Sequence, residues 1–304
     1  AYIPRSDTYI EKETSINDEI DRLRHAATMS LLTRKDVIIV ASVSCIYGLG
    51  EPEDYLRQSF EIKVGQKVSR EKVIRQLVDI LYERNDVELA RGKFRARGDV
   101  LEIIPAYGED PIRVSFFGDE VESINGIDGI TGEISERLDN FHIFPAKHFL
   151  TGQEKLKEAM KNIRAEADER VKYFQKEGKL IEAQRISERV NYDMEMLSEV
   201  GYISGIENYS RHLTGRSAGA PPSTLIDFYD ENFLLFIDES HQTIPQIGGM
   251  YHGDQARKQN LIDYGFRLPS ARDNRPLRFA EFDAKIQNVV YVSATPAEYE
   301  LNIS

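Results

Sequence analysis

The sequence has little cysteine, no tryptophan and no long apolar run. Its single cysteine, Cys45, excludes an internal disulfide and any metal site built from several cysteines. No apolar stretch approaches the ~18 residues of a membrane-spanning helix, so we expect no membrane span and a cytoplasmic protein. Positive charge is also in the minority, since 39 Lys and Arg stand against 51 Asp and Glu, a net charge of −12. Because nucleic acid repels net negative charge, any contact with it must be local.

What the sequence does contain is apolar patterning typical of an α/β protein. Residues 37–43, 233–237 and 289–292 are continuous β-favouring runs, which predict strands covered on both faces of a parallel sheet. Apolar residues at helical spacing predict a helix capped by Ser15, with Ile20 and Leu23 in its apolar stripe. The same spacing predicts a pair of helices within residues 153–200, the second with an apolar stripe of Ile186, Val190, Met194 and Leu197. Strands of this type joined by helices imply a parallel-sheet core, with ligands beyond the carboxyl ends of its strands.

Residues 54–151 differ in character and predict a separate inserted domain. They contain short strands, one helix and glycine turns. Within them, residues 70–82 predict a helix, and residues 93–97 and 100–104 predict a hairpin around a Gly98-Asp99 turn.

The predicted strand 93–97 carries a basic face. Lys93, Arg95 and Arg97 alternate with Phe94 and Ala96, so the period of two puts the three cations on one side of the sheet. Guanidinium groups pair bidentately with carboxylates, and this face therefore suits an acidic partner surface. A merely solvated strand face is the alternative.

Two carboxylates directly follow the second buried run. Asp238 and Glu239 would project from the carboxyl edge of the sheet, where the phosphate-bound Mg²⁺ lies in a phosphate-loop NTPase. One carboxylate can order the metal and its neighbour can activate water. Ser293 and Thr295 follow the third run, where hydroxyl groups can sense a nucleotide. Solvated turn residues and a helix cap are the alternatives.

Several strings resemble known motifs. Residues 238–241 (Asp-Glu-Ser-His) and 293–296 (Ser-Ala-Thr-Pro) resemble motifs II and III of superfamily 2 helicases. Residues 205–212 (Gly-Ile-Glu-Asn-Tyr-Ser-Arg-His), Arg257-Lys258 and residues 263–271 resemble one family in particular, the UvrB family of the excinuclease in bacterial nucleotide excision repair. The resemblance extends over the whole sequence.

The resemblance implies a helicase-like, RecA-like core of the P-loop NTPase type that is incomplete in this chain. Residues 1–53, with the remnant of a DNA-clamping β-hairpin, and residues 215–304 would belong to the first motor domain. Residues 54–151 would form the inserted domain that binds UvrA, the damage-sensing component of the excinuclease, and residues 152–214 a helical insertion. The sequence lacks the Gly-x-x-x-x-Gly-Lys-Ser/Thr phosphate loop. In this family that loop lies upstream of the matched segment, and the second motor domain lies downstream.

The resemblance also implies a function. The complete protein would be an ATP-dependent component of the excinuclease, with Mg²⁺, that verifies DNA damage. It would receive damaged DNA from UvrA and present it to UvrC, the nuclease component. Whether this chain is itself an enzyme stays open, and we expect it to bind and hydrolyse ATP poorly on its own.

The resemblance assigns roles to individual residues. Asp238 would bind Mg²⁺, and Glu239 would be the catalytic carboxylate. The nucleotide-side residues would be Asp238, Glu239, His241, Ser293 and Thr295; the DNA-side residues Tyr2, Tyr9 and Lys12; and the UvrA contacts Arg84, Arg95 and Arg97. The separation of seven would put Tyr2 and Tyr9 on opposite faces of a regular strand.

Other interpretations fit the sequence less well. A non-enzymatic UvrB-like docking module, such as that of the transcription-repair coupling factor, would keep the fold without nucleotide chemistry, and the Asp238-Glu239 pair argues against it. A complete helicase is excluded by the missing phosphate loop. A metal site at His142 and His148 is disfavoured by their spacing of six and the absence of cysteine partners. His25 is expected at the surface.

Overall fold

The structure is a computed structural model that describes residues 2–6, 8–9, 17–230 and 232–303. Within these residues the strands are β1 (Tyr2–Ile3), β2 (Thr8–Tyr9), β3 (Phe60–Lys63), β4 (Glu83–Arg84), β5 (Lys93–Arg97), β6 (Val100–Ile104), β7 (Ile112–Phe117), β8 (Glu120–Ile127), β9 (Ile134–Leu138), β10 (Asn140–Ile143), β11 (Leu234–Ile237) and β12 (Asn288–Tyr291). The α-helices are α1 (Asp18–Thr33), α2 (Pro52–Gln58), α3 (Arg70–Asp79), α4 (Gln153–Lys176), α5 (Leu180–Glu199), α6 (Ser210–Thr214), α7 (Ser240–Asp263), α8 (Phe279–Asp283) and α9 (Glu298–Ile303). Short 3₁₀ helices cover Pro4–Ser6, Val43–Ile46, Ile206–Tyr209, Leu225–Phe228 and Pro269–Asp273. The mixed α/β class predicted from the sequence is confirmed.

The chain divides into two compact units. Unit 1 comprises the described residues of Ala1–Glu13, Ile38–Pro52 and Gln153–Ser304, and unit 2 those of Thr14–Val37 and Glu53–Gly152. None of the described helices is both long enough and apolar enough to cross a membrane.

Unit 2 is built around a six-stranded sheet. Strands β4 to β9 lie side by side in chain order, antiparallel except for the β4–β5 pair. The predicted hairpin of β5 and β6 is confirmed, with Gly98 at φ +56° in its turn. Helix α3 ends three residues before the prediction, because Leu81 takes a φ of +68° and turns the chain. The core packs Val73, Leu77 and Phe94 with the inward residues of the sheet.

Helix α1 also belongs to unit 2, but two details of the prediction are wrong. Asn17 caps the helix, its Oδ1 accepting hydrogen bonds from the second and third helical N–H groups, whereas Ser15 lies outside the described residues. The buried face also differs, since Ile20 and Leu23 are exposed while His25 is only 1% exposed. His25 is therefore a core residue of unit 2.

Unit 1 contains the predicted helical pair. Helices α4 and α5 are joined at Gly178, which has a φ of +73° and ends the first helix. The predicted apolar stripe of α5 is confirmed, because its members are all buried: Ile186, Val190, Met194 and Leu197.

The parallel strands of unit 1 are confirmed only in part. β11 pairs with β12 in parallel, but the predicted cover on both faces is wrong, since Leu234 and Phe236 are exposed. Residues 37–42 form no strand, against the prediction, and Ile38 and Val40 are 92% and 96% exposed. A strand needs a neighbouring strand to satisfy the hydrogen bonds of its backbone. Within the described residues β11 and β12 pair only with each other, so residues 37–42 have no strand partner there.

Candidate functional site

Polar side chains follow both parallel strands of unit 1 at the same edge. Asp238 and Glu239 come directly after β11, and Ser293 lies two residues after β12. The backbone N–H of Ser240 donates to the Val292 carbonyl (3.0 Å), which ties the two strand ends together. The edge predicted from the sequence therefore exists, because parallel strands end on the same side of a sheet.

His241 connects the two polar segments. Its Nδ1 lies 2.8 Å from the Ser293 hydroxyl and 3.4 Å from a carboxylate oxygen of Glu239. The same hydroxyl accepts a hydrogen bond from the backbone N–H of Thr295 at 3.1 Å. The structure thus brings the predicted nucleotide-side residues to one edge, and the Ser293 hydroxyl lies between the segments that follow β11 and β12.

The turn at Glu239 is strained. Glu239 has a φ of +44°, a conformation that costs a residue with a side chain about 1–2 kcal/mol, and α7 begins immediately after it. Asp238 holds the turn, since its Oδ1 accepts from the Glu239 N–H (3.0 Å) and its carbonyl accepts from the Thr243 hydroxyl (2.9 Å). Both carboxylates are exposed at the sheet edge. Oxygen donors of this kind are the ligands that Mg²⁺ prefers.

A buried link fixes the start of α7. The hydroxyl of Ser240, which is inaccessible to solvent, donates to Glu300 Oε1 at 2.6 Å, and Glu300 Oε2 accepts from the Ala297 N–H at 3.0 Å. Glu300 could not be singled out from the sequence, because nothing local relates it to a helix start 60 residues away. Its hydrogen bond with Ser240 links the start of α7 to α9.

The basic face of β5 continues across the sheet of unit 2. Directly opposite residues share a face, and the strand register aligns one polar row across five strands: Arg95, Glu102, Arg113, Asn125 and Arg137. Glu102 is only 7% exposed and receives hydrogen bonds from Arg95 and from Arg113 (2.8 and 2.9 Å). Burial opposes ionisation of Glu102, but the two guanidinium groups outweigh it and lower the pKa of the carboxyl. Arg95 therefore has a partner within its own sheet.

Arg84 and Arg97 meet at Asp86. Arg84 Nε lies 3.1 Å from the Asp86 carboxylate, and Arg97 donates to the Asp86 carbonyl at 2.9 Å. Phe94 is fully buried, so the predicted division of β5 into a basic and an apolar face is confirmed. Asp86 was absent from the sequence-based set of residues, although it lies only two residues after Arg84.

The two tyrosines of the DNA-side prediction lie on the same side of a short antiparallel pair. Tyr2 is directly opposite Tyr9, because the 3₁₀ helix Pro4–Ser6 reverses the chain between them, so the prediction of opposite faces is wrong. Tyr9 stacks on Phe266 at 4.6 Å between ring centroids, and Tyr2 contacts the same ring at 4.9 Å. Arg185 covers that ring at 4.1 Å. Lys12 lies outside the described residues.

His148 pairs with His25 rather than with His142, the histidine considered beside it from the sequence. His148 stacks on His25, with ring centroids 3.8 Å apart and planes 19° apart, while His142 contacts Ser59 Oγ at 2.8 Å. Donor atoms of Asp21, His25 and His148 lie within 4.8 Å of one another. A metal ion lies close to the plane of each imidazole that binds it, and two rings stacked face to face cannot both meet that condition for one ion. The arrangement suits a hydrogen-bonded packing cluster better than a metal centre.

Comparison of the sequence with known proteins identifies its family. The family model described as the UvrB interaction domain matches residues 60–149, and the one described as the UvrB third helical domain matches residues 154–215. Proteins named UvrABC system protein B are 60% identical in Carboxydothermus hydrogenoformans and 59% identical in a Synechococcus strain over the whole chain, and 59% identical in Bacillus licheniformis over 99% of it. The chain spans 46%, 44% and 46% of these three relatives, less than half of each. With two of the family's domains matched in succession and this identity from end to end, the chain belongs to the UvrB family.

Proposed function

We propose that this chain is part of the damage-verifying component of a cytoplasmic excinuclease that acts in nucleotide excision repair. The complete protein would receive damaged DNA from UvrA, test it with the help of ATP, and present it to the nuclease UvrC. The observation that carries the proposal is the polar edge of unit 1, where His241 contacts both Glu239 and Ser293 after two parallel strands. A docking module without nucleotide chemistry has no use for this arrangement.

The domain assignment is part of the proposal. Residues 1–53 and 215–304 would belong to a RecA-like motor domain, residues 54–151 to the domain that binds UvrA, and residues 152–214 to the helical insertion. Helix α1 lies within the first of these segments but is part of unit 2. The parallel β11–β12 pair and the carboxylates at its end support the motor assignment.

The chemistry of the polar edge follows from its donor atoms. Asp238 would hold Mg²⁺, which neutralises phosphate charge when it is bound, and Glu239 would orient the attacking water. His241 contacts both the Glu239 carboxylate and the Ser293 hydroxyl, and would couple a shift at one group to the other. Ser293 and Thr295 would in this way transmit the state of the nucleotide to the segment after β12.

A DNA-binding role is proposed for Tyr2, Tyr9 and Lys12. Bases stack on aromatic rings without regard to sequence, which suits the recognition of varied lesions. Both tyrosine rings contact Phe266 in this structure, so a base must displace a ring contact in order to stack there. We therefore expect this chain to bind DNA weakly on its own.

The UvrA interface is proposed for the face that carries Arg84, Arg95 and Arg97. Reversing the charge of Arg95 is a poor test, since a new carboxylate would face the buried Glu102 and disturb the sheet. Arg97 is exposed and bonds only a backbone carbonyl among the contacts described, so its charge can be reversed without burying a carboxylate.

The first test is the binding of purified UvrA to this chain, measured by calorimetry. We expect Arg97→Glu to weaken binding at least tenfold, because a carboxylate would replace a guanidinium opposite an acidic surface. The matched control is Arg137→Glu. Arg137 lies in the same polar row but four strands from β5, roughly 19 Å at the usual strand spacing.

Two results would contradict the proposed interface. One is Arg97→Glu binding as tightly as the wild type. The other is equal weakening by Arg137→Glu, which would indicate a general effect of net charge rather than a local contact.

A further inference from the structure

The loop between β4 and β5 is fixed by its own polar residues. Asn85 Oδ1 accepts hydrogen bonds from the backbone N–H of Val87 (3.0 Å) and of Glu88 (2.9 Å), and the Asn85 N–H donates to the Phe94 carbonyl at 2.9 Å. This turn presents Val87 to solvent with 91% of its surface exposed. The chain therefore holds an apolar side chain outward in a defined position.

Asp86 ties the same loop to the basic face. Its carboxylate accepts from Arg84 Nε and from the Ala96 N–H, both at 3.1 Å, and its carbonyl accepts from Arg97 at 2.9 Å. The hydrogen bond from Arg84, with that from Ala96, lowers the pKa of Asp86, so the carboxylate stays charged and keeps the loop closed. Val87 thus directly follows the residue that both arginines contact.

We propose that Val87 is the apolar contact at the centre of the surface that docks UvrA, with Arg84 and Arg97 as its charged rim. This inference rests on the proposed function, and the partner surface that it implies is an apolar pocket surrounded by carboxylates. Protein interfaces commonly take this form, in which a central apolar side chain is surrounded by polar groups. The fixed turn lowers the entropy that binding costs, because the side chain is already in place.

Unit 2 offers a matched control for Val87. Ile130 is 98% exposed and lies in a turn of the same kind, since Asp128 Oδ1 accepts from the N–H of Ile130 (2.9 Å) and of Thr131 (2.7 Å). The two sites share exposure, aliphatic chemistry and turn geometry. Carboxylates lie near both sites, Asp86 and Glu88 beside Val87 and Asp128 near Ile130. The sites differ in that two arginines contact Asp86, whereas Asp128 bonds backbone N–H groups among the contacts described.

The experiment measures the affinity of immobilised, purified UvrA for the full 304-residue chain and its variants. We expect Val87→Asp to weaken binding at least tenfold, and Val87→Thr, which keeps the shape but replaces one methyl by a hydroxyl, to weaken it about threefold to tenfold. We expect Ile130→Asp and Ile130→Thr to bind within about twofold of the wild type. Urea unfolding of each variant checks that the fold is retained, which is expected for positions exposed to this degree.

The outcomes separate this inference from the function on which it rests. If Arg97→Glu loses binding while Val87→Asp and Val87→Thr keep it, the surface is correct and the role of Val87 is wrong. If the Ile130 variants weaken binding as much as the Val87 variants, a specific apolar contact is also refuted. If the folded wild-type chain does not bind UvrA, the proposed interface and the inference both fail.

Discussion

His25 and His148 form a buried pair that must stay neutral. His25 Nδ1 lies 2.8 Å from the Tyr55 hydroxyl, and His148 Nε2 lies 3.2 Å from the Thr28 hydroxyl. Burial, reinforced by the charges of Arg91, Arg24 and Lys147, lowers the pKa of His25 to about 3. Burial, with the neighbouring His25 ring, also lowers the pKa of His148 well below its ordinary value. Asp21 favours the charged form of His148, but it does not outweigh these effects.

We predict that unit 2 loses stability as the pH falls below about 6.5, the pKa of histidine in an unfolded chain. Below that pH the two histidines bind protons in the unfolded chain but stay neutral in the folded chain. Acid therefore favours unfolding until the pH approaches the pKa values of His25 and His148 in the folded state. Above pH 6.5 both states are neutral and the contribution is constant. Each histidine adds about 1.4 kcal/mol per pH unit to the slope of the unfolding free energy.

Urea unfolding between pH 7.5 and 4.5 measures this slope. We expect His25→Gln to lower it, and the double variant with His148→Gln to lower it further. His252→Gln, at an exposed position, should leave the slope of the wild type unchanged. An unchanged slope in the double variant would show that the pair does not carry the acid sensitivity.

At the scale of elements, local sequence predicted the β5–β6 hairpin and helices α1, α3, α4 and α5, but not the 24-residue helix α7. The Gly98-Asp99 turn sets the register of β5 and β6, so counting outward from it pairs Arg95 with Glu102. That partner could have been predicted from the sequence. The polar edge was predictable for the same reason, since residues after parallel strands gather at one edge.

Other elements could not be predicted, because their environment depends on distant residues. The run at 37–43 has strand composition, but no neighbouring strand pairs with it within the described residues. Helix α1 buries His25 where the apolar pattern pointed to Ile20 and Leu23. The contact between His241 and Ser293 depends on a left-handed turn at Glu239, and no glycine marks that turn in the sequence.

The close contact of Gly265 with helix α5 allows packing between elements to be tested by substitution. Gly265 has a φ of +72°, and a Cβ added there would lie 2.5 Å from the Glu182 carbonyl oxygen and 2.9 Å from its Cα. We predict that Gly265→Ala lowers the unfolding free energy of unit 1 by about 2–4 kcal/mol, since left-handed strain adds to a clash with backbone that cannot move aside.

Gly178→Ala is the matched control for this prediction. Gly178 has nearly the same φ, +73°, but nothing lies within 4 Å of its added Cβ. It should lose only the strain, about 1 kcal/mol. Urea midpoints at constant slope measure both variants. Equal losses in the two would mean that the contact with α5 is relaxed without cost.

At the scale of the whole molecule, unit 1 would supply one half of the proposed nucleotide site. It has the carboxylates and hydroxyls of the polar edge, but the sequence contains no phosphate loop. Such a loop supplies several backbone N–H groups and a lysine to the phosphates, and these contacts account for much of the affinity for a nucleotide. Exposed carboxylates alone hold Mg²⁺ loosely and repel the triphosphate.

We therefore predict that the isolated chain binds Mg²⁺-ATP with a Kd weaker than roughly 1 mM, for which only about 4 kcal/mol of binding free energy is required. Calorimetry measures the affinity, and release of phosphate measures turnover. Wild type, Glu239→Gln and the control Glu298→Gln, an exposed acid in the first turn of α9, should then show the same background rate. Turnover that Glu239→Gln abolishes and Glu298→Gln retains would contradict the prediction, because it would mean that the polar edge can position a nucleotide without the loop. The phosphate contacts would then have to come from residues of this chain, and substitutions at the exposed end of the β11–β12 pair would identify them.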